Sequence, residues 1–87
     1  MIIGLNTHVT AEDGQDYHVQ IEDLDASFEL EARVYLAGRI VFRKRQSYAA
    51  ALEAAGVMGT AEHIVQEELQ KLFGLLQAAI LKGRIKA

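Results

Sequence analysis

The sequence predicts an α+β domain: a four-stranded antiparallel meander, in order 1-2-3-4, covered on one face by a short helix and a long C-terminal helix. From Ile3 to Phe42 the apolar residues recur mainly at every second position, and after Ser47 their period lengthens to that of a helix. Glycine turn signals at Asp13-Gly14 and Ala37-Gly38 separate alternating runs that no proline interrupts. The 87 residues, 51% hydrophobic and 24% charged, are read as one domain, with the meander over 2–46 and the helical part over 47–87. A domain of this size buries only about 60 to 65% of its unfolded surface, so association with a partner would add to its stability.

Ile3, Leu5, Thr7 and Val9 form the inward side of the first strand, and Tyr17, Val19 and Ile21 that of the second. With Gly14 left-handed in a three-residue loop, Val9 faces Tyr17, Thr7 faces Val19 and Leu5 faces Ile21. A four-residue connection over Asp23 to Ala26 puts Ile21 opposite Phe28 and Val19 opposite Leu30. The same turn type at Gly38 puts Val34 opposite Ile40 and Ala32 opposite Phe42. This register buries all these side chains on one face, whereas a one-residue slip exposes them.

The run Tyr48 to Ala55 reads as a short alanine-rich helix, capped by Ser47 and ended by Gly56. After Gly59, Thr60 is placed to cap a long helix whose stripe is Ala61, Val65, Leu69, Leu72, Phe73, Leu76 and Ile80. Its end is expected near Gly83. Advancing about 100° per residue from Leu72 as zero, the stripe spans roughly 0° to 100°, while Leu75, Ala78 and Leu81 fall near 300°, 240° and 180°. These three face away from the sheet, and with Leu52 of the short helix they are the candidate protein interface.

Charge is segregated along the chain. Residues 1–31 hold eight acids and no Lys or Arg, and residues 32–46 hold five bases and no acid. In the predicted register Glu29 falls opposite Arg45, Glu31 opposite Arg43 and Gln20 opposite Glu29, so much of the basic stretch is neutralised within its own sheet. Arg39 and Lys44 are left outside this pairing. As the alternative, Arg33, Arg39, Arg43 and Arg45 with Tyr35 would contact a single-stranded nucleic acid, in a strand-then-helix order analogous to the single-strand-binding coactivator fold. The net charge of −3 weakens that alternative, because phosphate binding needs positive potential along the track.

Several chemistries lose their usual residues. Without cysteine there is no disulfide, thiolate nucleophile or iron–sulfur ligand. The predicted outer row of His8, His18, Glu31 and Arg43 has the side chains for a three-ligand zinc site. Arg43 would compete for Glu31 and repel a cation, so the histidines are read as solvent-exposed and no metal or cofactor is expected. Ser27 and Ser47 lie in no Gly-x-Ser-x-Gly elbow, and Gly56 to Gly59 lacks the Lys and Ser/Thr of a phosphate loop. The acids at Glu22, Asp23 and Asp25 form a turn, and Glu67-Glu68 lie on a helix flank. The expectation is a protein that is not an enzyme. The amino terminus lacks the basic and apolar regions of a signal peptide, and the mostly apolar stretch Leu72 to Leu81 is too short to span a bilayer, so a cytoplasmic location is expected.

Tyr17-His18-Val19-Gln20-Ile21-Glu22-Asp23, Ala37-Gly38-Arg39-Ile40 and Ser47-Tyr48-Ala49 resemble small bacterial proteins whose strands read Tyr-His-Val-Gln-Thr-Glu-Asp and Gly-Gly-Arg-Ile-Leu, followed by Thr-Ser-Tyr. The likeness covers about residues 7–82, with Ile21, Ala37 and Gln46 departing from the pattern. It implies a bacterial cytosolic module and brings no activity or functional residue. The function expected is therefore a non-enzymatic interaction or assembly module that forms a homodimer, or joins a larger protein partner, through Leu75, Ala78, Leu81 and Leu52.

Overall fold

The computed structural model describes residues 3–56 and 61–85. Its elements are β1 (Gly4–Thr10), β2 (Asp16–Leu24), a 3-10 turn (Asp25–Ser27), β3 (Glu29–Leu36), β4 (Arg39–Ser47), α1 (Ala49–Ala54) and α2 (Ala61–Leu81). The strands form one open antiparallel sheet in order β1-β2-β3-β4, and α2 packs across its inner face over β1 and β2.

The first hairpin has the predicted register, pairing Leu5 with Ile21, Thr7 with Val19 and Val9 with Tyr17. Gly14 takes φ 88°, and its N–H reaches the Ala11 carbonyl at 2.9 Å. The second hairpin differs from the prediction by four residues: Ile21 pairs with Ala32 and Val19 with Val34. The predicted connection starts at Asp23, but the strand runs on to Leu24, and the Asp23 carboxylate accepts the Tyr48 hydroxyl at 2.7 Å. The connection becomes the 3-10 turn and Phe28, whose φ of 55° turns its ring out of the predicted core to 52% exposure. An even shift preserves which side chains face inward. Val19, Leu30, Ala32 and Val34 are therefore all fully buried.

The third hairpin corrects the sequence reading twice. The turn is a two-residue loop in which both Ala37 (φ 53°) and Gly38 (φ 80°) are left-handed, the mark of a type I′ turn. Alanine rarely adopts that conformation, so nothing in the residue type signals it. The tighter turn puts Ile40 opposite Tyr35 on the outer face, where it is 50% exposed. A bulge between Val34 and Tyr35 in the ladder then restores the inward alternation, and Phe42 pairs with Val34 instead of Ala32.

Tyr48 joins the layers. It is 3% exposed, its N–H donates to the Phe28 carbonyl at 2.9 Å, and its ring meets Phe28 edge-on. The Ser47 hydroxyl accepts the Ala49 N–H at 3.2 Å as α1 begins, and Gly56 (φ 58°) follows its end. In α2, Val65, Leu69, Leu72, Leu76 and Ile80 are buried, with Ala61 and Phe73 half-buried at the margins of the stripe. The predicted cap at Thr60, with Gly59, lies outside the described residues. At the other end Gly83 (φ 70°) donates to Ile80 and Arg84 to Ala79, a Schellman closure that brings Ile85 back into the core. Among the described residues no helix is long and apolar enough to cross a membrane.

Candidate interaction surface

Three surfaces carry the side chains singled out in the sequence: the outer sheet face, the β4 edge and the outward side of α2. On the outer face the register changes of the second and third hairpins replace the predicted pairs. Glu31 stands opposite Arg45, Arg33 opposite Arg43, and Gln20 opposite Arg33. Glu31 is 3% exposed on a face that no element covers, because arginine side chains close over it. Arg33, two residues along the same strand, donates from Nε at 2.9 Å and also from Nη2; Arg45 donates from Nε at 2.9 Å, and Arg43 approaches to 3.9 Å. The hydrogen bonds from Arg33 and Arg45 hold the Glu31 carboxyl below its usual 4.5 despite burial, which pushes it up. Glu31 in turn raises the pKa of Arg33.

The sign of the pH dependence follows. A carboxyl with a lowered folded-state pKa contributes stability that is fully present above its unfolded value and is lost as pH falls through the folded value. Below about pH 4.5 the parent should therefore lose stability more steeply than Glu31→Gln, whose side chain does not titrate. Urea melts between pH 2 and 7 check this. Parallel acid limbs for the two proteins would contradict the clamp.

The histidines meet a different neighbour from the one predicted. Their row across the outer face is His8, His18, Tyr35 and Ile40, and Glu31 lies on the row of Glu22 and Arg45. The carboxylate of Asp16 accepts from His8 Nδ1 at 2.8 Å, which fixes the proton on that nitrogen, and His18 Nε2 bonds the Asn6 carbonyl oxygen. The two imidazoles stack with centroids 4.7 Å apart, and Tyr35 leans on His18 at 5.9 Å. Among the described residues no three His, Asp or Glu side chains converge as metal ligands.

Of the four arginines named for nucleic-acid contact, Arg33, Arg43 and Arg45 are gathered around Glu31, and Arg39 stands apart at the Ala37-Gly38 turn. The sequence reading missed this cluster because its register was displaced, although charge segregation pointed to the strands involved.

On α2 the geometry follows the helical period. Leu75 is 65% and Leu81 44% exposed, and Ala78 is half-buried between them. Leu52 belongs elsewhere: it packs against the core cluster in a depression shared with Tyr48, Ala61 and Val65. From Val65 to Leu75 is about 15 Å along a helix rising 1.5 Å per residue, so α1 does not extend the leucine patch. Comparison with protein-family models, curated proteins and solved structures returns no match.

Proposed function

We propose that the protein is a non-enzymatic interaction module that self-associates as a homodimer through the outward side of α2, with Leu75, Ala78 and Leu81 at the contact. The observation that carries this reading is the exposure of two leucines on the helix side opposite the sheet. Shape supports it. The radius of gyration is 13.9 Å, against about 12 Å for a compact chain of this length, and the accessible surface of 5585 Å² exceeds the roughly 5,100 Å² expected of a monomer this size. Three of the side chains weighed for chemistry are engaged in structure: Ser27 bonds the Leu24 carbonyl, the Ser47 hydroxyl accepts the Ala49 N–H, and Glu31 is held by arginines.

The single-strand alternative draws less support. Three of its four arginines share one carboxylate, and Tyr35, the ring named for base stacking, leans on His18 at 5.9 Å.

Replacing Leu75 and Leu81 together by Glu should give a folded monomer, since neither belongs to the sheet-facing stripe. Sedimentation equilibrium and far-UV circular dichroism check both halves of that expectation. A double mutant that still dimerises would remove the leucines from the interface, and one that unfolds would assign them to the core.

The exposed parts of the two leucines amount to roughly one whole side chain per protomer. At about 1.5 to 3 kcal/mol for each, two protomers gain about 3 to 6 kcal/mol, only comparable with the low end of an association cost of about 4 to 15 kcal/mol. Other contacts along the helix are therefore needed to hold the dimer.

A further inference from the structure

We infer that two copies of α2 pair antiparallel about a twofold axis between Gly74 and Leu75, with Glu67 of each protomer facing Lys82 of the other. This rests on the self-association reading and specifies its register.

Three observations lead to it. First, charge on α2 and its C-terminal turn is polarised. In the first half Glu62, Glu67 and Glu68 outnumber Lys71, with Glu67 pairing His63 at 2.9 Å and Glu68 pairing Lys71 at 3.1 Å, and Lys82 and Arg84 follow the last turns. An antiparallel pair sets each acidic half against the partner's basic half and also opposes the two helix dipoles favourably. A parallel pair would set like against like.

Second, Glu67, Lys71, Gly74, Ala78 and Leu81 recur at intervals of four, three, four and three residues, the spacing of a helix-pairing seam. Glu67, Lys71, Gly74 and Leu81 are exposed, and this seam lies opposite the stripe that meets the sheet. Glu67 is 52% and Lys71 73% exposed at the side chain.

Third, Gly74 stands in the middle of a 21-residue helix, where glycine is a poor helix former, and a Cβ there would meet nothing within 4 Å. Nothing within the chain requires a glycine at this point. A second helix crossing there would use it, because the missing side chain lets the two backbones approach and gives Leu75 of each protomer room beside the partner's Gly74.

The register centred on Ala78 instead would align Leu75 with Leu81 of the partner. It would also crowd Lys71, Lys82 and Arg84 of both copies into one region and leave the acidic halves unmatched. Charge complementarity selects the axis between Gly74 and Leu75.

The test is a charge swap in the full chain, read by sedimentation equilibrium with far-UV circular dichroism as the control for folding. Glu67→Lys alone and Lys82→Glu alone each place two like-charged pairs in their own homodimers, and each should dimerise about tenfold more weakly than the parent. Mixed in equal amounts, they form two opposite-charge pairs per heterodimer, and dimerisation should return to the parental level. Gly74→Leu should stay folded, because the space above it is empty within the chain, and should lose the dimer. A mixture no better than the average of its two components would overturn the register, as would single variants that dimerise like the parent; both leave self-association itself standing. A monomeric parent would overturn the register together with the reading beneath it.

Discussion

Truncating Leu69 or Leu72 to Ala should lower the unfolding free energy by about 2 to 5 kcal/mol each. Both side chains are 1% exposed at the middle of the contact between α2 and the sheet, where no solvent can fill the space they leave. Loss of transfer free energy then adds to the cost of a cavity that rigid strands on one side cannot close. For a domain of this size each kcal/mol shifts the melting temperature by about 4 to 8 °C. Either variant should therefore melt at least roughly ten degrees below the parent, and a shift of only a degree or two would show that α2 is not held by this stripe. Val19 and Leu30, fully buried in the facing strands, should behave in the same way.

Tyr48→Ala should cost about 3 to 5 kcal/mol, in the range for removing a buried aromatic ring. Its effect is architectural as well as energetic. The ring is buried at the junction of β4 and α1, and its hydroxyl donates to Asp23 near the end of β2 at 2.7 Å. Without it the inward Asp23 carboxylate loses that donor next to the apolar core. Tyr48→Phe, which keeps the ring, should cost about 1 to 3 kcal/mol through that loss alone. Denaturant melts of the two variants separate packing from hydrogen bonding, and equal losses would show that the ring contributes nothing beyond its hydroxyl.

Much of the architecture was legible in the sequence because alternation and helical period are dictated by burial. Asp13-Gly14 identified the first hairpin to the residue, since a left-handed glycine fixes the loop and the loop fixes the pairs. The second and third hairpins were less legible for a shared reason: their connections use left-handed Phe28 and Ala37, residues that carry no sequence signal for that backbone shape. The inward set survived because the second hairpin moved by an even number of residues, and in the third a bulge offset the odd step of its tight turn. Phe28 and Ile40, beside the irregular turns, are the two that left the predicted core.

The site was legible to different degrees on its different surfaces. Leu75 and Leu81 could be placed because a helix has one period and no register to misjudge. The arginine clamp on Glu31 depends on the register of β3 with β4, which the third hairpin sets, and the misread second hairpin placed Glu31 beside the histidines instead of Glu22.

Sedimentation equilibrium of the unmodified chain, over concentrations from low to high micromolar, tests self-association most directly. The subunit mass is 9.6 kDa. The average mass should climb with concentration toward twice the subunit value and stop there, because a twofold interface is closed once two copies have used it. A mass that stays at 9.6 kDa up to high micromolar concentration would contradict it.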